Sequence, residues 1–321
     1  MPLINSSIPV AGGHFKGHIQ TILPALTRSA GQEYPLYWEL STPDGDILEL
    51  AATGKGNSRA VLLSHGLEGS AYTPYMTGMA KYISSRGFDV YVWNFRGCGK
   101  KINPGPWYYH SGKTEDLKHV VQHVLSNTHI HELHLVGFSI GGNLTLKYLG
   151  EENIALPRAI KSAVCISAPL ELKDCALHLG DGANRIYLNR FLKSLKKKLR
   201  HKEAQHPGSI DLKGLDEVNN FIEFDGRYTA PQSGFADADD YYRKSSSLYQ
   251  IPKLCTPTLL LNAHNDPFLS HSSYPLEIAK NHSWLHLETP EGGGHVGFRN
   301  NLFSGEYHSE RRVFEFISTN H

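Results

Sequence analysis

Serine, aspartate and histidine occur in that order in this chain, each directly after a segment that is predicted to be a strand. Ser139 stands at the centre of the pattern Gly137-Phe138-Ser139-Ile140-Gly141, and Asp266 and His295 follow later strands. A serine hydroxyl is a poor nucleophile at neutral pH. It needs a histidine to take its proton and a carboxylate to orient that histidine. The three residues therefore predict nucleophilic catalysis by Ser139, with His295 as the base and Asp266 as its partner.

The residues around Ser139 favour a sharp turn between a strand and a helix. Gly137 and Gly141 stand two positions before and after the serine, where the strand and the helix pass close to each other. Such a turn presents the hydroxyl above the sheet edge. An anion that develops there would be bound by two backbone N–H groups, those of Ile140 and of Leu67. Leu67 lies in the loop that follows the predicted strand 60–64.

Each predicted residue also has a simpler interpretation. Asp266 precedes Pro267 and could only form a turn, and His295 could be a surface residue in a glycine-rich loop. His65 could compete for the role of base, although its position before Gly66 indicates that it shapes the loop. His264 lies two residues before Asp266 and would have to point the other way. The order and placement of the three residues favour the triad.

Strands that alternate with helices predict an α/β fold with a mainly parallel sheet. Parallel sheets carry their active sites at the carboxyl ends of the strands, where Ser139, Asp266 and His295 all fall. Residues 1–33 are predicted to be irregular, because glycine and proline interrupt them. The predicted strands are 36–41, 46–52, 60–64, 88–93, 133–136, 160–167, 258–263 and 284–288. The first two strands are predicted to form an antiparallel hairpin. Helices are predicted at 74–86, at 114–125, after Ser139 and at 311–318.

The stretch 169–253 interrupts this alternation. It is long, polar and helical, and we expect it to be a cap inserted into a single α/β domain that spans residues 1–321. Its segment 190–200 has apolar residues at helical spacing, and much of the rest of the helix surface is filled by Lys193, Lys196, Lys197, Lys198 and Arg200. This pattern is typical of an ordinary amphipathic helix, but it also fits a cap helix that attracts anionic lipid surfaces. The sequence leaves peripheral membrane contact open.

Composition excludes several classes of function. The 321 residues carry a net charge of +1, which argues against nucleic acid as a partner. The four cysteines form no Cys-x-x-Cys pair, and the histidines at 129, 131 and 134 are interpreted as loop and strand-edge residues rather than as a metal site. We therefore expect neither a metal nor an organic cofactor. With no secretory signal and no apolar run of membrane-spanning length, the predicted location is cytoplasmic.

Several motifs together resemble the YheT-like branch of the α/β-hydrolase superfamily, also called AB hydrolase family 4. The resemblance spans nearly the whole chain and rests on His18-Ile19-Gln20-Thr21-Ile22, His65-Gly66-Leu67-Glu68-Gly69-Ser70, Asn94-Phe95-Arg96-Gly97-Cys98-Gly99, Gly137-Phe138-Ser139-Ile140-Gly141-Gly142-Asn143, Asp240-Tyr241-Tyr242 and Gly293-Gly294-His295-Val296-Gly297-Phe298. It implies an α/β-hydrolase fold and carboxylesterase-like activity. Relatives in this family include lipid hydrolases and alcohol acyltransferases.

The residues and the resemblance together predict a serine hydrolase that cleaves small-molecule carboxylic esters, with short to medium acyl chains or lipid-like structure. An alcohol acyltransferase would use the same acyl-enzyme and differ only in the attacking group. A protein on the same fold that binds a ligand without catalysis is a third alternative. The retention of Ser139, Asp266 and His295 argues against it. The sequence gives no information about the oligomeric state.

Overall fold

A computed structural model of the protein describes residues 3–4, 6, 16–29, 31–126, 129–153, 155–299 and 306–319. Within these residues one nine-stranded sheet runs through the molecule in the order β1-β9-β8-β7-β6-β4-β5-β3-β2. The strands are β1 (Leu3–Ile4), β2 (Leu36–Ser41), β3 (Ile47–Ala52), β4 (Arg59–Ser64), β5 (Asp89–Asn94), β6 (Glu132–Phe138), β7 (Ile160–Ile166), β8 (Thr258–Leu261) and β9 (Leu285–Glu288).

Seven of these strands run parallel to their neighbours, and only the β2–β3 and β3–β5 pairs are antiparallel. The predicted parallel sheet with an antiparallel edge is therefore confirmed. Ser139, Asp266 and His295 follow β6, β8 and β9, so the carboxyl ends of three parallel strands bring them to one edge of the sheet.

Both faces of the sheet are covered. Along β4, Ala60 and Leu62 belong to one buried apolar cluster, whereas Val61 and Leu63 belong to another. Successive side chains of a strand point to opposite faces, so this alternation shows a core on each side. The helices are α1 (Lys16–Thr27), α2 (Pro74–Ser84), α3 (Thr114–Ser126), α4 (Ile140–Glu151), α5 (Leu172–Leu179), α6 (Arg185–Gln205), α7 (Phe221–Phe224), α8 (Ala230–Gln232), α9 (Ala238–Ser245), α10 (Leu276–Asn281) and α11 (His308–Ile317).

The segment 169–253 contains α5 to α9 and a π-helical turn at Asp225–Thr229. Its apolar side chains form a third buried cluster of their own, which includes Leu188, Phe224 and Tyr242. Phe268, from a loop at the sheet edge, belongs to that cluster, and Leu67, from another such loop, packs against it. The segment therefore covers the edge at which the strand ends meet. No helix among the described residues has the length and apolar character needed to cross a membrane.

The prediction that residues 1–33 are irregular is wrong for α1, while most of residues 1–15 lie outside the described residues. Pro24 stands inside α1 and cannot donate the usual hydrogen bond to the carbonyl of Gln20. The helix nevertheless continues to Thr27. Its tight packing on the loop around Gly294 and Gly297, described below, offsets the weak helical tendency of its own sequence.

Candidate active site

Ser139 lies in the strained turn that joins β6 to α4. Its backbone has φ 54° and ψ −124°, outside the regions that side-chain-bearing residues prefer. Its N–H donates to the carbonyl of Ile166 on β7 at 2.8 Å. A β-carbon at Gly137 would collide with the backbone of Gly141, and one at Gly141 would collide with the carbonyl oxygens of β4 and the residue after it. The two glycines thus permit the close approach of strand and helix.

The structure brings Ser139, His295 and Asp266 together in one hydrogen-bonded line. The Ser139 Oγ lies 2.9 Å from His295 Nε2, and His295 Nδ1 lies 2.9 Å from Asp266 Oδ2 and 3.1 Å from Oδ1. The Asp266 side chain has no exposed surface and the His295 side chain has 9%. In this arrangement Nδ1 carries a proton toward the carboxylate, which leaves Nε2 free to accept the serine proton.

Local contacts hold Asp266 and His295 in place. The N–H of Phe268 donates to Asp266 Oδ1 at 2.8 Å, and the Phe268 ring stacks on the His295 imidazole with centroids 3.9 Å apart. His264 is turned to a different neighbour, because its ring stacks on Tyr274 with centroids 5.4 Å apart. The geometry therefore separates His264 from the line that joins Ser139 to Asp266.

His65 is a buried structural histidine. Its Nδ1 donates to the carbonyl of Gly66 at 2.7 Å, and its Nε2 accepts from the N–H of Phe95 at 3.0 Å. Complete burial lowers the pKa of His65 to about 3, so the ring is neutral at the pH values at which enzymes usually work. Both ring nitrogens are occupied by the backbone. His65 is therefore not available as a base for Ser139, and it fixes the loop before Leu67.

The two predicted anion donors, Leu67 and Ile140, both line the same cavity as Ser139 and His295. In the described part of the chain, neither backbone N–H donates to another protein atom. Ile140 is the first residue of α4, so its N–H has no partner within the helix. The adjacent N–H of Gly66 is already bonded to the Tyr75 hydroxyl at 2.9 Å. Leu67 and Ile140 thus offer two unpaired donors beside the serine.

Glu68 ties the loop that carries Leu67 to α6. Its φ of 55° is unusual for a residue with a side chain. Its carboxylate forms an ion pair with Lys198 at 2.6 Å and accepts hydrogen bonds from the hydroxyl groups of Ser194 and Tyr109. The Tyr109 hydroxyl also accepts from the N–H of Glu68 at 3.0 Å. The strained loop is therefore fixed by two residues of α6 and one of the main domain.

The cavity above Ser139 is largely apolar. It encloses about 1090 Å³ of space, part of which is open to solvent. Segment 169–253 supplies most of its walls, including Leu172, Leu179, Phe191, Leu195, Phe221 and Phe224. Such a site suits the hydrocarbon part of a ligand, because burial of apolar surface drives its binding. No group of three histidine, cysteine or acidic side chains among the described residues is arranged to hold a metal.

The basic stretch 190–200 does not form a uniform charged face. Lys198 is paired with Glu68, and Lys196 donates to the backbone carbonyl of Asp216 at 3.0 Å. The remaining basic residues of the stretch, Arg190, Lys193, Lys197 and Arg200, are exposed. Part of the charge is therefore used to hold the segment to the rest of the protein.

The sequence analysis assigned no role to three residues that contact the site from α1 and from the turn before Asp266. Thr21 Oγ1 accepts from the N–H of His295, Gln20 Oε1 accepts from the N–H of Gly293, and Asn265 Oδ1 accepts from the N–H of Gly294. The only sequence signal for the first two was the motif at 18–22, which carried part of the family resemblance.

Comparison with known proteins agrees with this architecture. Residues 59–301 match the family described as alpha/beta hydrolase fold. Among similar proteins is one from Escherichia coli strain K12 named "Putative esterase YheT", which is 35% identical over 310 residues that cover 94% of this chain and 90% of its own. A monoacylglycerol lipase of Saccharomyces cerevisiae is 26% identical and matches 88% of this chain and 62% of its own.

The structural comparison gives the same fold. The Pyrococcus furiosus esterase Pf2001 superimposes with a TM-score of 0.59 at 17% identity, over 90% of this chain and 97% of that one. At that identity the likeness speaks for the fold alone. The resemblance to the YheT-like branch, proposed above from the motifs, is confirmed by the 35% identity over most of both chains. This chain belongs to the α/β-hydrolase fold family.

Proposed function

We propose that this protein is a serine hydrolase that cleaves carboxylic esters through an acyl-enzyme on Ser139. The observation that carries the proposal is the hydrogen-bonded line from Ser139 Oγ through His295 to the carboxylate of Asp266. The names of similar proteins, an esterase and a monoacylglycerol lipase, support the same class of reaction.

The reaction follows from the positions of the atoms. Ser139 Oγ attacks the ester carbonyl carbon while its proton passes to His295 Nε2. The carbonyl oxygen becomes an anion and accepts hydrogen bonds from the N–H groups of Leu67 and Ile140. Asp266 stabilises the imidazolium that forms. His295 then returns the proton to the alkoxide leaving group as the C–O bond breaks, and the alcohol departs.

Water completes the cycle. His295 takes a proton from a water molecule, whose oxygen attacks the acyl carbon of the Ser139 ester. When the second tetrahedral intermediate collapses, His295 gives the proton back to Ser139 Oγ and the acid leaves. An alcohol that replaced this water would yield a new ester, so the same site could transfer acyl groups. Product analysis in the presence of ethanol separates the two outcomes.

Substrates with short to medium acyl chains, or lipid-like esters, fit the apolar walls of the cavity. We propose that segment 169–253 acts as a cap that provides these walls, because Phe191, Leu195 and Phe221 line the cavity next to Ser139. Longer apolar chains bury more surface there, and each buried methylene contributes about 0.8 kcal/mol. The value of kcat/KM should therefore rise with chain length until the cavity is filled.

Two measurements test the proposal. A fluorophosphonate should label the wild-type protein covalently, and Ser139→Ala should lose both the label and the hydrolysis of 4-nitrophenyl esters. A series of such esters with increasing acyl length gives the chain-length preference. Persistent labelling or hydrolysis in folded Ser139→Ala would assign the reaction to another residue. A ligand-binding protein without catalysis would show neither activity in the wild type.

A further inference from the structure

Side-chain oxygens accept hydrogen bonds from most of the backbone N–H groups of the loop that carries His295. Four consecutive N–H groups, from Gly293 to Val296, donate to Gln20 Oε1, Asn265 Oδ1, Thr21 Oγ1 and Ser167 Oγ, at 2.8, 2.9, 2.8 and 2.9 Å. A loop outside the sheet has no strand partner for these donors, and a buried donor without a partner is costly. The four side-chain oxygens therefore replace the ladder of a regular element.

Two of the four acceptors, Gln20 and Thr21, come from α1, more than 270 residues earlier in the chain. Gln20 Oε1 also accepts from Nδ2 of Asn265 at 2.8 Å, and Asn265 in turn holds the N–H of Gly294. One glutamine oxygen thus joins the turn before Asp266 to the loop that carries His295. The segments that carry Asp266 and His295 are therefore linked through Gln20 and Asn265.

The packing between α1 and this loop leaves no free space. A β-carbon at Gly294 would come within 2.8 Å of backbone atoms of Gly17, Gln20 and Thr21. One at Gly297 would collide with the carbonyl oxygen of Gln20. The helix and the loop therefore touch backbone to backbone, and a shift of α1 would be transmitted directly to the loop.

A second route joins α1 to the His295 imidazole through aromatic rings. His18 Nδ1 lies 2.9 Å from the Tyr187 hydroxyl of α6, and the two rings stack with centroids 5.7 Å apart. Tyr187 packs against Phe268 at 4.6 Å between centroids, and Phe268 stacks on His295. The helix α1 thus contacts the backbone of His295 directly and its ring through two intermediates.

We infer that Gln20 and Thr21 are positioning residues that set the His295 imidazole at hydrogen-bonding distance from Ser139. The inference rests on the proposed function, because the role requires His295 to act on Ser139. Neither Gln20 nor Thr21 is among the residues that line the cavity above Ser139, so each would act through the backbone of the loop. A displacement of about 1 Å at a catalytic group can cost about a hundredfold in rate. The region that matches the hydrolase family begins at residue 59, after these two residues.

Thr21→Val is the sharpest test, because valine keeps the shape of threonine and removes the hydroxyl that accepts from His295. With 4-nitrophenyl esters, kcat should fall by about ten- to a hundredfold while KM changes less than about threefold. Thr21→Ser restores the oxygen and should recover most of the loss. In the second pair, Gln20→Met should lower kcat in the same way, whereas Gln20→Glu keeps an acceptor oxygen and should retain more activity than Gln20→Met.

Thr27→Val is the matched control on the same helix. Thr27 Oγ1 donates to Leu23 O at 2.8 Å, as Thr21 Oγ1 donates to Gly17 O at 2.7 Å. Both valine variants therefore lose the same bond within α1. Thr27, however, is exposed, and its hydroxyl accepts at 3.5 Å from Arg299 rather than from the N–H groups of residues 293–296. We expect kcat of Thr27→Val to stay within about twofold of the wild type. Thermal unfolding of each variant shows whether the fold has changed.

The outcomes separate this inference from the proposed function. If folded Thr21→Val and Gln20→Met both keep the wild-type kcat while Ser139→Ala is inactive, the positioning role is wrong and the proposed reaction stands. Equal losses in Thr27→Val and Thr21→Val would also overturn it, since the effect would then come from the helix. If Thr21→Val does not fold, comparison of kcat between Gln20→Met and Gln20→Glu decides whether the positioning role is correct. Activity that persists in Ser139→Ala refutes the proposed function itself.

Discussion

Asp266→Asn gives the strictest test of the line that joins Ser139, His295 and Asp266. In the wild type, Asp266 Oδ1 accepts from the N–H of Phe268 and lies 3.1 Å from His295 Nδ1. Oδ2 lies closer to Nδ1, at 2.9 Å, and has no other hydrogen bond within the described part of the chain. An asparagine will keep its carbonyl oxygen toward the Phe268 N–H, because an amide nitrogen there would oppose another donor. Its NH₂ group then takes the place of Oδ2 and donates to Nδ1.

This exchange reverses the tautomer of the imidazole. With Nδ1 acting as an acceptor, the ring proton moves to Nε2, which faces Ser139 Oγ at 2.9 Å and can no longer take its proton. The loss expected from a reversed tautomer is about 10⁴-fold in kcat, which corresponds to about 5 kcal/mol. KM should change little, because the Asp266 side chain is fully buried behind His295 and does not line the cavity.

Steady-state hydrolysis of 4-nitrophenyl esters measures both constants, and thermal unfolding shows whether the variant is folded. A kcat within tenfold of the wild type, in a folded variant, would refute the reasoning and place the carboxylate elsewhere. A large rise in KM with an unchanged kcat would mean that Asp266 serves in binding.

Two further predictions concern the loop that carries Leu67. Glu68→Gln removes the ion pair with Lys198, so the free energy of unfolding should fall by about 1–3 kcal/mol and kcat should drop. Chemical denaturation measures the first effect and ester kinetics the second. Lys197 is exposed, so the control variant Lys197→Gln should leave the free energy of unfolding and kcat unchanged. The pKa of His65 falls from 6.5 to about 3 on folding, so the folded state binds fewer protons there. The contribution of His65 to the free energy of unfolding is fully present above pH 6.5 and should be lost by up to about 1.4 kcal/mol per pH unit as the pH falls toward 3. Denaturation at a series of pH values measures this slope. If His65→Gln shows the same slope as the wild type, the prediction is wrong.

The strands and the mainly parallel sheet could be predicted because their signals are local. Every strand of the parallel core is a short apolar run bounded by turn residues, and this pattern is visible without any knowledge of the fold. The placement of Ser139, Asp266 and His295 at one edge then followed from a general property of parallel sheets. Strand β1, which has two residues, and the six-residue helix α10 were missed because so few residues give no periodic signal.

The helix α1 shows where such reasoning fails. Gly17 and Pro24 lower the helical tendency of its sequence, and on local grounds the segment is irregular. Its contacts with the loop at 293–297 join residues that are far apart in the chain, and no local pattern encodes them. Glycines in a loop usually indicate conformational freedom of the backbone. The structure shows the opposite consequence for Gly294 and Gly297, whose missing side chains let α1 approach and hold the loop.

In the basic stretch of α6, too, the sequence pattern does not show which side chains are in contact in the folded protein. A run of lysines in sequence predicts a charged face, and lipid surfaces attract such faces. Contact with Glu68 turns Lys198 into part of the support for the loop that carries Leu67, so its replacement would disturb the site before any effect on membranes could be seen. Lys193 and Lys197 are exposed instead, so vesicle binding is better tested by changing these two residues to glutamine. A loss of activity in a Lys198 variant would therefore say nothing about lipid.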